Sequence, residues 1–179
     1  MHAEERVRLV KPAVEYGEAY AEMVREFLQT EEAWFNNFPL ALEDFPAFVR
    51  ELEEEAQGIN LPPGVARQQT YWLLREDENG ATILGEIRLR PAITEPFEQH
   101  NGHIGYNIRP SQRGRGYATL QLALVLQEAR RAGLPRVMLT IEGDNPASVR
   151  VIEKNGGWLD YQRRLPETGE LLSCYWIDL

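Results

Sequence analysis

Gly105-Tyr106-Asn107-Ile108-Arg109-Pro110-Ser111-Gln112-Arg113-Gly114-Arg115-Gly116-Tyr117-Ala118 is the stretch on which the reading of this chain turns. It opens as a strand, stops at Pro110, bends through a glycine-rich turn with two arginines, and enters a helix. Strand, glycine turn and helix in direct succession aim backbone N–H groups and a helix N-terminus at one point. That arrangement suits a phosphate.

The rest of the chain limits which phosphate. At 179 residues the sequence is long enough for one well-buried domain, expected to span 1–179. A hydrophobic content of 43% and a charged content of 26% are those of an ordinary globular protein. A net charge of −9 and a pI near 4.9 argue against nucleic acid as a partner, so the cluster Arg109, Arg113, Arg115 stands out against an acidic background. Cys174 is the lone cysteine, which excludes an internal disulfide and a multi-cysteine metal site. His2, His100 and His103 have no metal-ligand spacing, so no metal is expected. Met1-His2-Ala3-Glu4-Glu5-Arg6 is too charged for a signal peptide and no apolar run could span a membrane, so a cytoplasmic protein is expected.

Outward from the opening stretch, a strand at Val7–Val10 precedes a helix marked by Tyr16, Tyr20, Met23, Val24 and Phe27. Trp34, Phe35, Phe38 and Pro39 read as an aromatic connection. Phe45, Phe48, Val49 and Leu52 place a second helix up to about Gln57, with Asp44 and Gly58 as its boundary signals. Thr70–Leu74 and Ile83–Arg90 form a hairpin around Asn79-Gly80. His103–Arg109 is the central strand, and Arg115–Ala132 is a helix with a buried stripe of Ala118, Leu122, Val125 and Ala129. Val137–Ile141 is a continuous apolar strand of the kind covered on both faces. Asn145 caps a last helix with Pro146 at its first position, and Trp158–Arg164 pairs with Leu171–Ile177. The order predicts a single α/β domain built on one mixed sheet.

Three phosphate loops compete for the glycine turn. The nucleotide P-loop needs Gly-Lys-Ser/Thr, which Gly116-Tyr117-Ala118 does not supply. The dinucleotide fingerprint needs a third glycine where the chain has Thr119. Arg113-Gly114-Arg115-Gly116-Tyr117-Ala118 instead resembles the Arg/Gln-x-x-Gly-x-Gly/Ala signature of the GNAT superfamily of N-acetyltransferases. Asp144-Asn145-Pro146-Ala147-Ser148 followed by Ile152-Glu153-Lys154-Asn155-Gly156-Gly157 resembles that superfamily's second motif at the expected distance. The element order also resembles the GNAT order from the first strand to the last hairpin.

The resemblance implies a mixed, mostly antiparallel sheet of six to seven strands flanked by about four helices. It implies acetyl-CoA as donor, with its pyrophosphate on the amides of Gly114, Arg115, Gly116, Tyr117 and Ala118. Arg113 and Arg115 would add charge, one of them toward the 3′-phosphate. Pantetheine would lie in a gap between Tyr106–Arg109 and Val137–Ile141, with an amide near Ile108 polarising the thioester carbonyl. Asn145 and Ser148 match coenzyme-facing positions, although a helix cap explains them equally. The tyrosine that protonates the leaving thiolate in many members falls here on Ile152, which leaves Tyr106, Tyr117 or water for that task. Glu86 on the neighbouring strand is the first candidate base, His103 the second and Glu142 a weaker third. Trp34, Phe35, Phe38, Glu31 and Glu32 match the acceptor wall, which suits a small-molecule or peptide amine. The implied activity is direct transfer of acetyl to a primary amine in a ternary complex. A non-catalytic acyl-CoA-binding module is the alternative, and the final hairpin leaves a homodimer open.

Overall fold

A computed structural model describes residues 6–30, 37–78, 80–93 and 102–179. The chain runs β1 (Arg6–Val10), α1 (Gly17–Phe27), α2 (Phe38–Glu43), α3 (Phe45–Gln57), β2 (Gln69–Asp77), β3 (Gly80–Leu89) and β4 (Ile104–Ile108). It continues through α4 (Tyr117–Arg131), β5 (Arg136–Glu142), α5 (Pro146–Lys154), β6 (Trp158–Arg164) and β7 (Leu171–Asp178).

The expected α/β architecture is present, but its sheet is divided rather than continuous. One antiparallel sheet has the order β1-β2-β3-β4 and the other β5-β7-β6. They meet at one corner. There the His103 N–H donates to the Met138 carbonyl at 2.8 Å, and the Met138 N–H donates to His103 Nδ1 at 2.9 Å. Gly102 makes this approach, with φ +59 and a missing Cβ that would lie 2.5 Å from the Met138 oxygen. Beyond that corner β4 and β5 form no ladder.

Helices cover both faces. On one side α1, α2 and α3 bury Tyr20, Met23, Phe38, Phe48 and Leu52 against Trp72, Leu74 and Ile83. On the other, α4 presents Leu122, Val125, Leu126 and Ala129 to Ile87, Ile104, Val137 and Leu139, with Ile152 of α5 in the same cluster. Gly85 sits opposite Ile108 in the β3–β4 register, where a Cβ would collide with the Asn107 carbonyl oxygen. The two strands can lie so close only because that position is glycine.

Local signals set the helix ends as the sequence predicted. Asp44 Oδ1 accepts from the Ala47 N–H at 2.9 Å, Asn145 Oδ1 from the Ser148 N–H at 3.0 Å, and Gly58 ends α3 at φ +75. The aromatic connection proves to contain α2, whose Asn37 cap accepts from the Leu40 N–H at 3.3 Å with Pro39 in the first turn. That cap signal was in the sequence, but six residues are too few for a periodic pattern to show.

Candidate active site

A cleft of about 810 Å³ opens beside β4, between the glycine turn and α5. Tyr106, Asn107 and Ile108 of β4 form its floor, the turn from Gln112 to Gly116 and the first residues of α4 form one end, and α5 forms a wall. Phe27 of α1 and Phe38 of α2 close the opposite side, their ring centroids 5.9 Å apart.

The glycine turn holds the shape the sequence predicted. Gly114 and Gly116 take φ +74 and +85, which a side-chain-bearing residue adopts only at a cost of about 1–2 kcal/mol. Gly116 is the N-cap of α4 and offers no side-chain acceptor, and the first turn carries no acid. The leading N–H groups of a 15-residue helix are therefore available to an anion. A carboxylate or hydroxyl cap at this point would have consumed them.

The three arginines behave differently from one another. Arg109, at the end of the strand expected to pair with pantetheine, has a buried side chain that does not line the cleft. Its Nε and an Nη donate to Glu26 Oε1 at 2.9 and 2.6 Å, and Glu26 also accepts from the Ser111 N–H at 3.0 Å and the Ser111 hydroxyl at 2.9 Å. One carboxylate on α1 thus ties down the turn that leads into the glycine loop. Arg113 lines the cleft, but its Nε donates to the Ile108 carbonyl at 3.0 Å and its guanidinium lies 5.9 Å from the Phe27 ring centroid. Arg115 is exposed and does not line the cleft.

Partial burial acts to raise the Glu26 pKa, but the hydrogen bonds from Arg109 and Ser111 outweigh it and hold the carboxyl below its ordinary value. The sign follows directly. The contribution of this clamp is complete above the unfolded pKa and is lost as pH falls through the lower folded one. Glu26→Gln is expected to raise the KM for the loop's ligand by about tenfold, since a charge-assisted contact becomes a neutral one. The check is a steady-state KM beside a melting curve; an unchanged KM counts against the clamp.

Tyr106 is the cleft's one buried hydroxyl without a hydrogen-bond partner among the described residues. Burial raises its pKa, and the nearby Ser148 side chain acts in the opposite direction and more weakly. The group therefore keeps its proton at neutral pH. Asn145 and Ser148 both line the cleft from the start of α5, and the capping bond between them faces the same space.

Comparison with known proteins decides the family. The model of the acetyltransferase (GNAT) domain matches residues 6–157, well over half of the chain. The chain belongs to the GNAT acetyltransferase family. An L-methionine sulfoximine/L-methionine sulfone acetyltransferase of Pseudomonas aeruginosa is 26% identical over 114 residues, which span 63% of this chain and 63% of that protein. Among solved structures, RimL, a ribosomal alpha-N-protein acetyltransferase in complex with coenzyme A, superposes with a TM-score of 0.65 at 18% identity, over 100% of this chain and 97% of that one. The microcin self-immunity acetyltransferase MccE, in complex with acetyl-CoA and AMP, gives 0.63 at 17% identity, over 99% and 94%.

Other residues singled out for this GNAT chain lie elsewhere. Glu86, the first candidate base, does not line the cleft; it is 1% exposed and sits under α1. Its Oε2 accepts from the Tyr20 hydroxyl at 2.9 Å and from Trp72 Nε1 at 3.1 Å, while Arg88 donates to Oε1 at 3.3 Å. A carboxylate so engaged anchors a helix to a sheet. His103 is also buried, at the corner where the sheets join, with its ring 6.0 Å from that of Trp176. Burial, with Arg136 and Arg90 nearby, lowers its pKa, and its Nδ1 already accepts from Met138. It serves the junction and does not reach the cleft. Ile152 is 1% exposed in the α4–α5 core, so that position supplies packing. Glu31, Glu32, Trp34 and Phe35 of the expected acceptor wall lie outside the described residues, and Phe38 lines the cleft.

Sequence reasoning missed Glu26, Phe27, Asn107, Arg150 and Lys154. Glu26 is separated from Ser111 by 85 positions, and no periodicity links them. Arg150 and Lys154 line the cleft, and their i,i+4 spacing beside the cap was a visible but unspecific signal.

Proposed function

We propose that this protein transfers the acetyl group of acetyl-CoA to a primary amine by direct attack in a ternary complex. The observation that carries the reading is the cleft itself: open helix amides at one end, a partnerless buried hydroxyl on its floor, and cations without acids around it. Its volume of about 810 Å³ falls within the range of ligand sites. The residues fit the coenzyme, which supplies an activated acyl carbon as a thioester. Gly114 to Ala118 receive the pyrophosphate, and backbone groups of Tyr106–Ile108 pair with the pantetheine arm as an added strand would. An amide near Ile108 polarises the thioester carbonyl.

Tyr106 is the proton donor to the departing thiolate, with Ser148 beside it to relay or orient the proton. Tyr106 supplies from β4, beside Ser148 of α5, the proton that a second-motif tyrosine on α5 would have given. The amine sheds its proton through water, since no carboxylate lines the cleft among the described residues. Cys174 is buried in β7, between β5 and β6, and does not line the cleft, which favours direct attack over an acyl-cysteine intermediate. The acceptor is a small-molecule or peptide amine, entering past Phe27 and Phe38. The aligned relative named for L-methionine sulfoximine and sulfone makes amino-acid-like amines the first class to try.

Two measurements test the reading. Initial velocities with both substrates varied give intersecting lines for a ternary complex and parallel lines for a covalent intermediate. Tyr106→Phe lowers kcat by about a hundredfold at unchanged KM for acetyl-CoA, the size of a lost general acid. A variant as fast as the parent assigns the proton to water instead.

A further inference from the structure

The donor cleft contains three charged side chains, Arg113, Arg150 and Lys154, and no aspartate or glutamate, in a chain whose net charge is −9. Arg113 already donates to the Ile108 carbonyl. Arg109 is spent on Glu26, and Arg115 lies outside the lining. The arginines of the glycine motif are thus poorly placed for the outermost phosphate of the donor. Arg150 and Lys154 have no hydrogen bond or ion pair among the described residues, and both are exposed.

Their place along the cleft is fixed by the two ends of α5. At its N-terminal end Ser148 faces Tyr106, where the thioester belongs. At its C-terminal end Asn155 Nδ2 donates to the Thr119 carbonyl at 3.3 Å, which ties that end to the first turn of α4, where the pyrophosphate belongs. Going from Ser148 to Lys154 is therefore going from the reacting end toward the nucleotide end. Arg150 and Lys154 are one helical turn apart and share a face.

We propose that Arg150 and Lys154 together bind the 3′-phosphate of the donor's nucleotide and so select coenzyme A over its 3′-dephospho form. The inference rests on the acetyl-CoA reading of the cleft. A guanidinium and an ammonium flanking one phosphate supply directional donors and a second charge, a pairing that a single loop arginine could not reproduce. Neither side chain carries core packing, so replacing them changes recognition without disturbing the fold.

The test compares dissociation constants of coenzyme A and 3′-dephospho-coenzyme A by calorimetry, for the parent, the double variant Arg150→Gln/Lys154→Gln and the control Arg115→Gln. The parent is expected to prefer coenzyme A by about tenfold or more, the scale of one charged hydrogen-bonded contact. The double variant loses that preference by weakening only coenzyme A, and the control keeps it. A double variant that retains the preference overturns the proposal, and transfer of the loss to Arg115→Gln overturns it in favour of the loop. A parent that binds both forms equally overturns it while leaving the donor site in place. A parent that binds neither removes the acetyl-CoA reading as well.

Discussion

Gly116→Asp is expected to leave the fold standing and to weaken acetyl-CoA binding by about a thousandfold, roughly 4 kcal/mol. The two halves of that expectation have separate causes. Gly116 has no atom within 4 Å of the place a Cβ would occupy, so a side chain fits, at the cost of holding φ +85. Aspartate is also a favoured N-cap, and its carboxylate would bond the first-turn amides and complement the helix dipole. The helix start is thereby compensated. The same carboxylate takes the donors a pyrophosphate needs and sets a negative charge against it. Gly116→Ala separates the effects, since it brings the backbone cost without the charge and should weaken binding far less. Calorimetry with acetyl-CoA and circular dichroism decide the matter, and an Asp variant that binds like the parent moves the site elsewhere.

Glu86→Ala is expected to cost about 3–5 kcal/mol of stability, the range found when one partner of a buried ion pair is removed. The Tyr20 hydroxyl and the Trp72 indole lose Glu86 Oε2 as acceptor, and the Arg88 guanidinium, itself 8% exposed, loses its neighbouring charge. For a domain of this size the melting temperature should fall by about 10 °C. Glu86→Gln keeps the shape and one acceptor oxygen and should fall between the two. Had Glu86 been the base, the glutamine variant would melt like the parent and lose nearly all turnover. Denaturant titration beside kcat distinguishes the outcomes.

What the sequence disclosed and what it concealed divide along a physical line. Local signals were readable: the Asn145 cap, the Gly58 stop, the apolar run of β5 and the strand–turn–helix at 104–131 all depend on neighbours in the chain. The glycine loop belongs to this class, because its function needs backbone conformation more than side-chain partners. Long-range polar contacts were not readable. Glu86 looked like a base because it lies on the strand beside the central one, where the resemblance places a carboxylate. Its task is to receive Tyr20 across 66 positions and Trp72 across 14. Arg109 stood out only as one of a basic cluster, and only folding reveals Glu26 beside it, 83 positions away. His103 likewise closes the junction between sheets through Met138. The division of the sheet follows from the same corner: pairing stops after His103, and the separation is a property of the packed elements.

A donor held along β4 and the glycine turn is expected to give its acetyl group to an amine. The most direct measurement follows free thiol and acetylated product together, by thiol reagent and mass spectrometry, for acetyl-CoA with a panel of amino acids, peptide N-termini and polyamines. One amine class is expected to accelerate thiol release over the amine-free rate, with one acetylated amine formed per thiol and both signals lost in Gly116→Asp. If acetyl-CoA binds tightly while every amine leaves thiol release at the rate of hydrolysis, the chain is a binding module on this fold and not a transferase.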